Sequence, residues 1–168
     1  MLAISLIIAG ILLRFMPHTA NFTPVGEIAL FSGMYLKKKY ALVVPLALMV
    51  LSDIFIGMHN VVIFTWGGFI LSTLLGMAVK KHKSVLNISG ISVASSLVFY
   101  LVSNFGVWVM GWYPRTLNGL AECYIMALPF LRDFTLSTLA YSVLMFSAYE
   151  LVVRRLKERA IAGVLLTD

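Results

Sequence analysis

Long apolar runs separated by short clusters of basic residues constrain this chain more than any other feature. Apolar residues make up 61% of the sequence and charged residues only 12%, which is about half the charged share of a soluble domain. A soluble fold with this composition would lack the polar side chains needed to cover its surface. Because lipid is an apolar solvent in which every backbone polar group must be paired within the protein, we predict an all-α membrane protein.

The apolar runs give the number of spans. A helix that crosses the hydrocarbon layer of a bilayer needs about 20 residues, and four runs reach that length. Two further runs near the N-terminus are shorter, and the second begins at Pro24, a residue suited to a first helical turn. We therefore predict a single transmembrane domain covering residues 1–168, with about six transmembrane helices. The predicted spans are approximately 1–16, 24–36, 40–58, 61–79, 88–110 and 134–153.

Three basic clusters test this count, and they lie at 37–39, 80–83 and 154–159. With six spans they follow the second, fourth and sixth, so ten of the thirteen Lys and Arg residues fall on one side of the membrane. The positive-inside rule makes that side cytoplasmic. We expect a multi-pass protein of the bacterial inner membrane with both termini in the cytoplasm; a re-entrant hairpin for residues 1–36 would keep the same sidedness. Clusters divided by apolar runs do not form a nucleic-acid surface.

Most of the unusual polar side chains then fall in the outer half of the bundle. They come from the first turn between spans, from the end of the third span, from the end of the fifth span and from the long connection 111–133. A pocket formed by these segments is the candidate substrate-binding site. Its candidate residues are Arg14, His18, Asn21, Asp53, His59, Asn104, Trp108, Tyr113, Cys123 and Tyr124.

Asp53 is the most informative of these residues, because a carboxylate inside a span is costly without a partner. It lies about 7.5 Å below the outer end of its span at 1.5 Å per residue. Two interpretations remain open. Asp53 forms a structural ion pair with Arg14 or Arg132, or it anchors a solute in a pocket.

The connection 111–133 is long enough to contain structure of its own. Residues 118–128 predict an interfacial or re-entrant helix ended by Pro129, and the connection would act as a lid. Cys123 and the histidines show no helical pair spacing, so we predict no metal site, no catalytic residues and no cofactor. Small residues predict close helix contacts at Ser5/Ala9, Ala29/Gly33, Gly67-Gly68 and Ser72/Gly76.

Several motifs in order resemble an uncharacterised family of small bacterial membrane proteins. The motifs cover nearly the whole chain, at 14–25, 29–33, 51–59, 103–108 and 119–130. In size and hydropathy the family is similar to the S components of energy-coupling factor (ECF) transporters, which import vitamins and metal ions. That resemblance implies an S-component-like bundle of six helices, with both ends inside and a pocket beneath the outer loops. Many S components carry Ala-xxx-Ala in their first helix for docking; here Ser5-xxx-Ala9 takes its place.

The leading hypothesis is therefore a membrane-embedded, solute-binding subunit for uptake of a vitamin-like small molecule or a metal-containing solute. Its expected partners are that solute, membrane lipid and a candidate energising transporter module, with no nucleic acid. The sequence contains no Gly-xxxx-Gly-Lys-Ser/Thr phosphate-binding string, so energy would come from a partner or a gradient. We expect no enzymatic activity. A structural or assembly subunit of a larger membrane complex is the main alternative, and an intramembrane enzyme is the third.

Overall fold

The computed structural model describes residues 2–17, 21–81 and 84–165, with side chains up to residue 155. His18, one of the predicted site residues, lies outside these ranges. The described chain is entirely helical and contains no strand, which confirms the predicted all-α class. Its helices are α1 (Leu2–Phe15), α2 (Val25–Tyr35), α3 (Lys38–Ile56), α4 (Val62–Ala78), α5 (Val85–Val109), α6 (Leu117–Met126) and α7 (Leu128–Leu165).

The first five helices occupy the first five predicted spans, and α6 is the helix expected in the lid. The sixth predicted span, 134–153, differs from the structure at both ends. Helix α7 begins at Leu128 and continues through the basic cluster to Leu165. The sequence predicted that Pro129 would end this helix, but α6 already ends at Met126. Pro129 lies in the first turn of α7. A proline is tolerated there because a backbone N–H in the first turn has no partner within the helix.

Length and composition make three of these helices able to cross a membrane. They are Lys38–Ile56, Val85–Val109 and Leu128–Arg155. Ala3–Phe15 and Val62–Ala78 are apolar but shorter, and α2 has only 11 residues. The fold is thus an all-helical bundle with helices suited to a membrane.

Contacts between helix ends show that neighbouring helices run in opposite directions. At one end, Lys80 Nζ donates a hydrogen bond to the Leu36 carbonyl at 2.8 Å, which places the first two basic clusters together. At the other end, the Ser137 hydroxyl donates to the Thr23 carbonyl at 3.2 Å. The first, third and fifth connections therefore meet at the end remote from the basic clusters, which we call the outer end.

Helix α2 forms the centre of the bundle, and every residue from Val25 to Met34 is buried. It lies closest to α4, where glycines allow the two backbones to touch. A Cβ on Gly33 would collide with the Thr73 carbonyl oxygen, and a Cβ on Gly76 with the Leu30 carbonyl oxygen. The predicted contacts at Ala29/Gly33 and Ser72/Gly76 are thus present. At the Gly67-Gly68 pair, only Gly68 meets a neighbour, the Phe99 ring.

Candidate functional site

The outer end of the bundle contains a cleft in two adjoining parts. The larger part has a volume of about 320 Å³ and lies between α4, α5 and α6. The smaller part has a volume of about 170 Å³ and reaches toward α1 and α3. Asn21, Thr65 and Phe99 line both parts, so the two lie side by side. The larger part alone reaches the lower end of the range of small-molecule sites, which begins at about 300 Å³.

Six of the ten residues predicted from the sequence line this cleft. They come from separate segments of the chain, as the topology argument required. Asn21 has a positive φ of 63°, a backbone conformation that Asn tolerates better than most residues. The six are Arg14, Asn21, His59, Asn104, Tyr113 and Cys123.

Aromatic rings from three helices form the apolar wall of the cleft. Phe99 of α5 is stacked on Phe134 of α7 with ring centroids 4.6 Å apart. Phe69 of α4 contacts both rings, with its centroid 4.5 Å from that of Phe99 and 6.4 Å from that of Phe134. Such a wall favours a ligand with a flat apolar face, because aromatic rings prefer offset or edge contacts with other rings.

Helix α6 is attached to α5 by side chain to backbone hydrogen bonds. The Tyr124 hydroxyl donates to the Leu101 carbonyl at 2.7 Å, and the Tyr100 hydroxyl donates to the Tyr124 carbonyl at 2.6 Å. Asn104 Nδ2 donates to the Tyr100 carbonyl at 2.8 Å. Tyr124 therefore fixes the lid and does not line the cleft.

Cys123 lines the cleft beneath α6 but is almost completely buried. Its thiol donates to the Asn104 carbonyl at 3.4 Å, and burial raises the pKa of the Cys123 thiol. A thiol with a raised pKa is a poor nucleophile, because the thiolate is the reactive form.

Asp53 lies behind the smaller part of the cleft and has a partner at each carboxylate oxygen, although its ion pair at Oδ1 lacks the alignment of a hydrogen bond. Its Oδ1 is 2.8 Å from Arg14 Nη1, and its Oδ2 accepts a hydrogen bond from Trp66 Nε1 at 2.8 Å. The same Arg14 nitrogen donates to the Ser52 hydroxyl. Of the two partners that the sequence allowed, the structure has Arg14; Arg132 is exposed. The geometry is that of an ion pair joining α1 to α3.

Two polar atoms at the smaller part are buried and have no hydrogen-bond partner among the described residues. They are His59 Nδ1 and Thr23 Oγ1, and both residues line the cleft. Buried polar atoms are nearly always paired in native proteins. An unpaired atom at the wall of a cavity is therefore suited to bind a ligand or an ordered water.

Asp53, Trp108 and Tyr124 do not line the cleft, although the sequence placed them in the site. Trp108 Nε1 donates to the Pro114 carbonyl at 3.0 Å and so holds the turn between α5 and α6. Each of the three supports the shape of the cleft from behind. Sequence depth alone cannot separate a lining residue from a supporting one.

The structure also adds residues that the sequence analysis missed. Thr23 and Phe99 line the cleft, and Trp66 completes the pairing of Asp53. The largest omission is Glu27, a fully buried acid in α2. An acidic residue inside a short, otherwise uncharged apolar run was the signal for it.

The electrostatics of the cleft are close to neutral. Arg14 is its cation, and the charge of Arg14 is balanced by Asp53 directly behind it. No group of three His, Cys, Asp or Glu side chains that could hold a metal ion occurs among the residues that the structure describes. The arrangement is suited to binding and lacks an activated nucleophile.

The fold and the cleft together define an all-helical protein suited to a membrane, with a cleft of small-molecule size at one end of its bundle. Residues 1–160 match the family of unknown function DUF6580, and the chain belongs to that family. The match agrees with the resemblance to an uncharacterised family seen in the sequence. No curated protein and no solved structure matches the chain.

Proposed function

We propose that this protein is a membrane-embedded, solute-binding subunit, similar to the S component of an ECF transporter, for uptake of a vitamin-like small molecule. The observation that carries this proposal is the outer cleft, whose wall includes two buried polar atoms, His59 Nδ1 and Thr23 Oγ1, that have no hydrogen-bond partner within the described part of the chain. A purely structural subunit gains nothing from leaving such atoms unpaired, since each costs about 1–3 kcal/mol.

The cleft favours a flat, uncharged solute with polar edges. The stacked Phe99 and Phe134 rings suit the face of a ring system, while Asn21, His59 and Asn104 offer neutral hydrogen-bonding groups. Arg14 is already neutralised by Asp53. A bare metal ion fits this lining less well than an organic ring, and a metal-containing solute would have to present its organic part.

The proposal includes six spans with both termini in the cytoplasm of a bacterial inner membrane. The antiparallel helices and the contact between Lys80 and Leu36 support it, because they bring the first two basic clusters to one end. The short helices α1 and α2 would cross with the help of tilt or local thinning of the bilayer.

Cysteine labelling in intact cells tests this sidedness. We expect a membrane-impermeant thiol reagent to label a cysteine at Glu122, an exposed lid position, in a Cys123→Ala background. A cysteine at Lys81 in the same background should be labelled only after lysis. The natural Cys123 should react slowly, because it is buried and its thiol pKa is raised. Labelling of the Lys81 position from outside would reject the topology.

A candidate docking face for an energising module lies on α1. Ser5 and Ala9 are on the exposed side of this helix, together with Ile4, Ile8 and Leu12. A row with small residues allows the close approach that membrane helices use for association. This face supports a partner of the ECF type despite the replacement of the first alanine by Ser5.

Solute binding is tested by the molecules that copurify with the detergent-extracted protein. Mass spectrometry of the heat-released fraction should find a ring-containing small molecule with wild type. His59→Ala and Asn104→Ala should lose it and keep the wild-type melting temperature. Glu122→Gln is the matched control, since this lid side chain is exposed and should retain the solute.

The alternative of a structural or assembly subunit predicts a different result. His59→Ala and Asn104→Ala would then melt several degrees lower, and the heat-released fraction would contain the same molecules for all variants. That outcome would reject the solute-binding proposal.

A further inference from the structure

The centre of the bundle contains a carboxyl group that has no charged partner among the residues that the structure describes. Glu27 lies in the first turn of α2 and is fully buried. Its Oε2 accepts a long hydrogen bond of 3.4 Å from the Ser92 hydroxyl of α5. Its Oε1 has no hydrogen-bond partner among the described residues.

The side of α5 that faces this carboxyl consists of hydroxyl groups. Ser92, Ser95 and Ser96 are all fully buried and lie on one side of the helix by their spacing. The Ser96 hydroxyl donates to the Ser92 carbonyl of its own helix, whereas Ser95 Oγ has no partner among the described residues. The hydrogen-bond donor to Glu27 is thus a neutral hydroxyl, that of Ser92.

No cation balances Glu27 within the described part of the chain, where no Lys, Arg or His nitrogen lies within 4.0 Å of its carboxyl oxygens. Of the helices packed against α2, α4 contains no titratable residue and α5 contains only Tyr100. On α1, Arg14 is paired with Asp53. Up to residue 155, the last one whose side chain the structure describes, the other titratable residues of α3 and α7 are Lys38, Lys39, Tyr40, Arg132, Asp133, Tyr141, Tyr149, Glu150, Arg154 and Arg155.

These remaining groups lie toward the two ends of the bundle or have other partners. Lys38, Lys39 and Tyr40 begin α3 at the end of the basic clusters. Tyr149 packs on Tyr35 with centroids 4.3 Å apart, and Tyr141 packs on Phe22 at 6.2 Å. None of them supplies the positive charge that an ionised Glu27 would require.

We propose that Glu27 and Ser92 form a proton-binding site in the middle of the bundle. An ionised carboxylate without a partner is strongly disfavoured in a low-dielectric interior, so the closed bundle holds Glu27 protonated and neutral. When water reaches the carboxyl, Glu27 releases its proton to that water and becomes a carboxylate. Proton binding and release would then accompany closing and opening of the bundle.

A proton fits this site better than a metal cation. Hard cations such as Ca²⁺ take six or more oxygen ligands at about 2.3–2.6 Å, whereas one hydroxyl at 3.4 Å is bonded to Glu27. A proton needs only the carboxyl oxygen that carries it. The geometry therefore favours a proton as the bound ion.

This site is separate from the outer cleft. Thr23 and Val25 line the smaller part of the cleft, but Glu27 does not. The proposal stands without the solute-binding function, and a failure of one leaves the other unaffected. If both hold, the bundle binds its own coupling ion. The gradient of that ion across the membrane would then be a second source of energy beside a docked module.

Infrared spectroscopy of the purified full-length protein tests the proposal directly. At neutral pH, wild type should show the carbonyl stretching band of a protonated carboxyl, which Asp53 does not contribute because it is ion-paired. Glu27→Gln should lose this band completely, and the matched control Glu122→Gln should retain it. Ser92→Ala should shift the band, because the carboxyl loses its hydrogen-bond donor.

The overturning results are equally specific. A band that persists in Glu27→Gln, or that is absent from wild type, rejects the site. If Glu27→Gln does not fold, Ser92→Ala provides the test. A carbonyl band at the wild-type position in Ser92→Ala then rejects the proton-binding site. Loss of the band when K⁺ is replaced by Na⁺ at constant pH would mean that a metal cation binds there.

Discussion

The regions around Asp53 and Glu27 contain the same chemical group in opposite surroundings. Both carboxyls are almost inaccessible, at 1% and 0% exposure. Asp53 has Arg14 on one oxygen and Trp66 on the other, each at 2.8 Å. Glu27 has the Ser92 hydroxyl at 3.4 Å on one oxygen, and its other oxygen has no partner among the residues described. Burial is therefore equal, and pairing differs.

The difference separates a structural carboxylate from an ion-binding one. A buried charge with a complete set of partners fixes the positions of the helices that supply them. A buried acid without such partners is either protonated or hydrated by water that enters the bundle. The same contrast holds for the hydroxyls, since Ser72 and Thr73 bond carbonyls of their own helix, whereas Thr23 Oγ1 at the cleft has no partner in the described ranges.

The largest effect is expected from breaking the Asp53 pair. Arg14→Gln should lower the free energy of unfolding by about 3–5 kcal/mol, because it leaves a buried carboxylate without its counter-charge. The double variant Arg14→Gln/Asp53→Asn should be more stable than the Arg14→Gln single variant. Reversible unfolding in mixed micelles measures both.

Arg132→Gln is the matched control for this prediction. Arg132 is exposed, and surface substitutions usually change stability by less than about 0.5 kcal/mol. Strictly additive losses in the cycle of Arg14 and Asp53 would show that the two side chains do not depend on each other, and the contrast with Glu27 would disappear.

An intermediate effect is expected at the contact that holds α2, and with it Glu27, in the centre. Gly33→Ala and Gly76→Ala should each cost about 1–3 kcal/mol, because the new methyl group meets backbone atoms that cannot move away alone. Thermal melting in detergent measures the loss.

The chain offers matched glycines for comparison. A Cβ at Gly67 or Gly90 meets nothing within 4 Å, so alanine there should be neutral or should stabilise its helix by up to about 1 kcal/mol. Equal losses at Gly33 and Gly67 would mean that the α2–α4 contact is looser than the structure shows.

The smallest effect is expected at Glu27 itself. Glu27→Gln should change the free energy of unfolding by less than about 1 kcal/mol at neutral pH, because glutamine has the shape and neutrality of a protonated glutamic acid. The same micelle unfolding measurement applies. A loss as large as that of Arg14→Gln would indicate that Glu27 is ionised and has a partner, which would remove the distinction between the two regions.

Much of the fold follows from hydropathy and charge in the sequence. The first five helices lie where apolar runs predicted spans, because a helix of the bundle must be apolar along most of its length. The end of α7 was not foreseen. Its basic C-terminal part ends the hydrophobic span but does not end the helix, since Arg and Lys are good helix formers.

The site was predicted only in outline. Spacing along the chain gives the depth of a residue, which brought Asn21, His59 and Asn104 to one end of the bundle. It does not give the direction of a side chain, which is why Trp108 and Tyr124 were assigned to the cleft although both bond backbone carbonyls behind it. Glu27 was overlooked because one acid hardly alters the hydropathy of its run.

The sequence by itself determined the helical class, the order of the helices and an apolar character suited to a membrane, because these depend on composition and period along the chain. Only the tertiary structure decided that Asp53 pairs with Arg14 and not with Arg132, and that no cation of the described residues lies beside Glu27. Pairing depends on distances of a few ångströms between residues far apart in sequence. Those distances follow from how the helices pack, for example where Gly33 and Gly76 let the backbones of α2 and α4 touch.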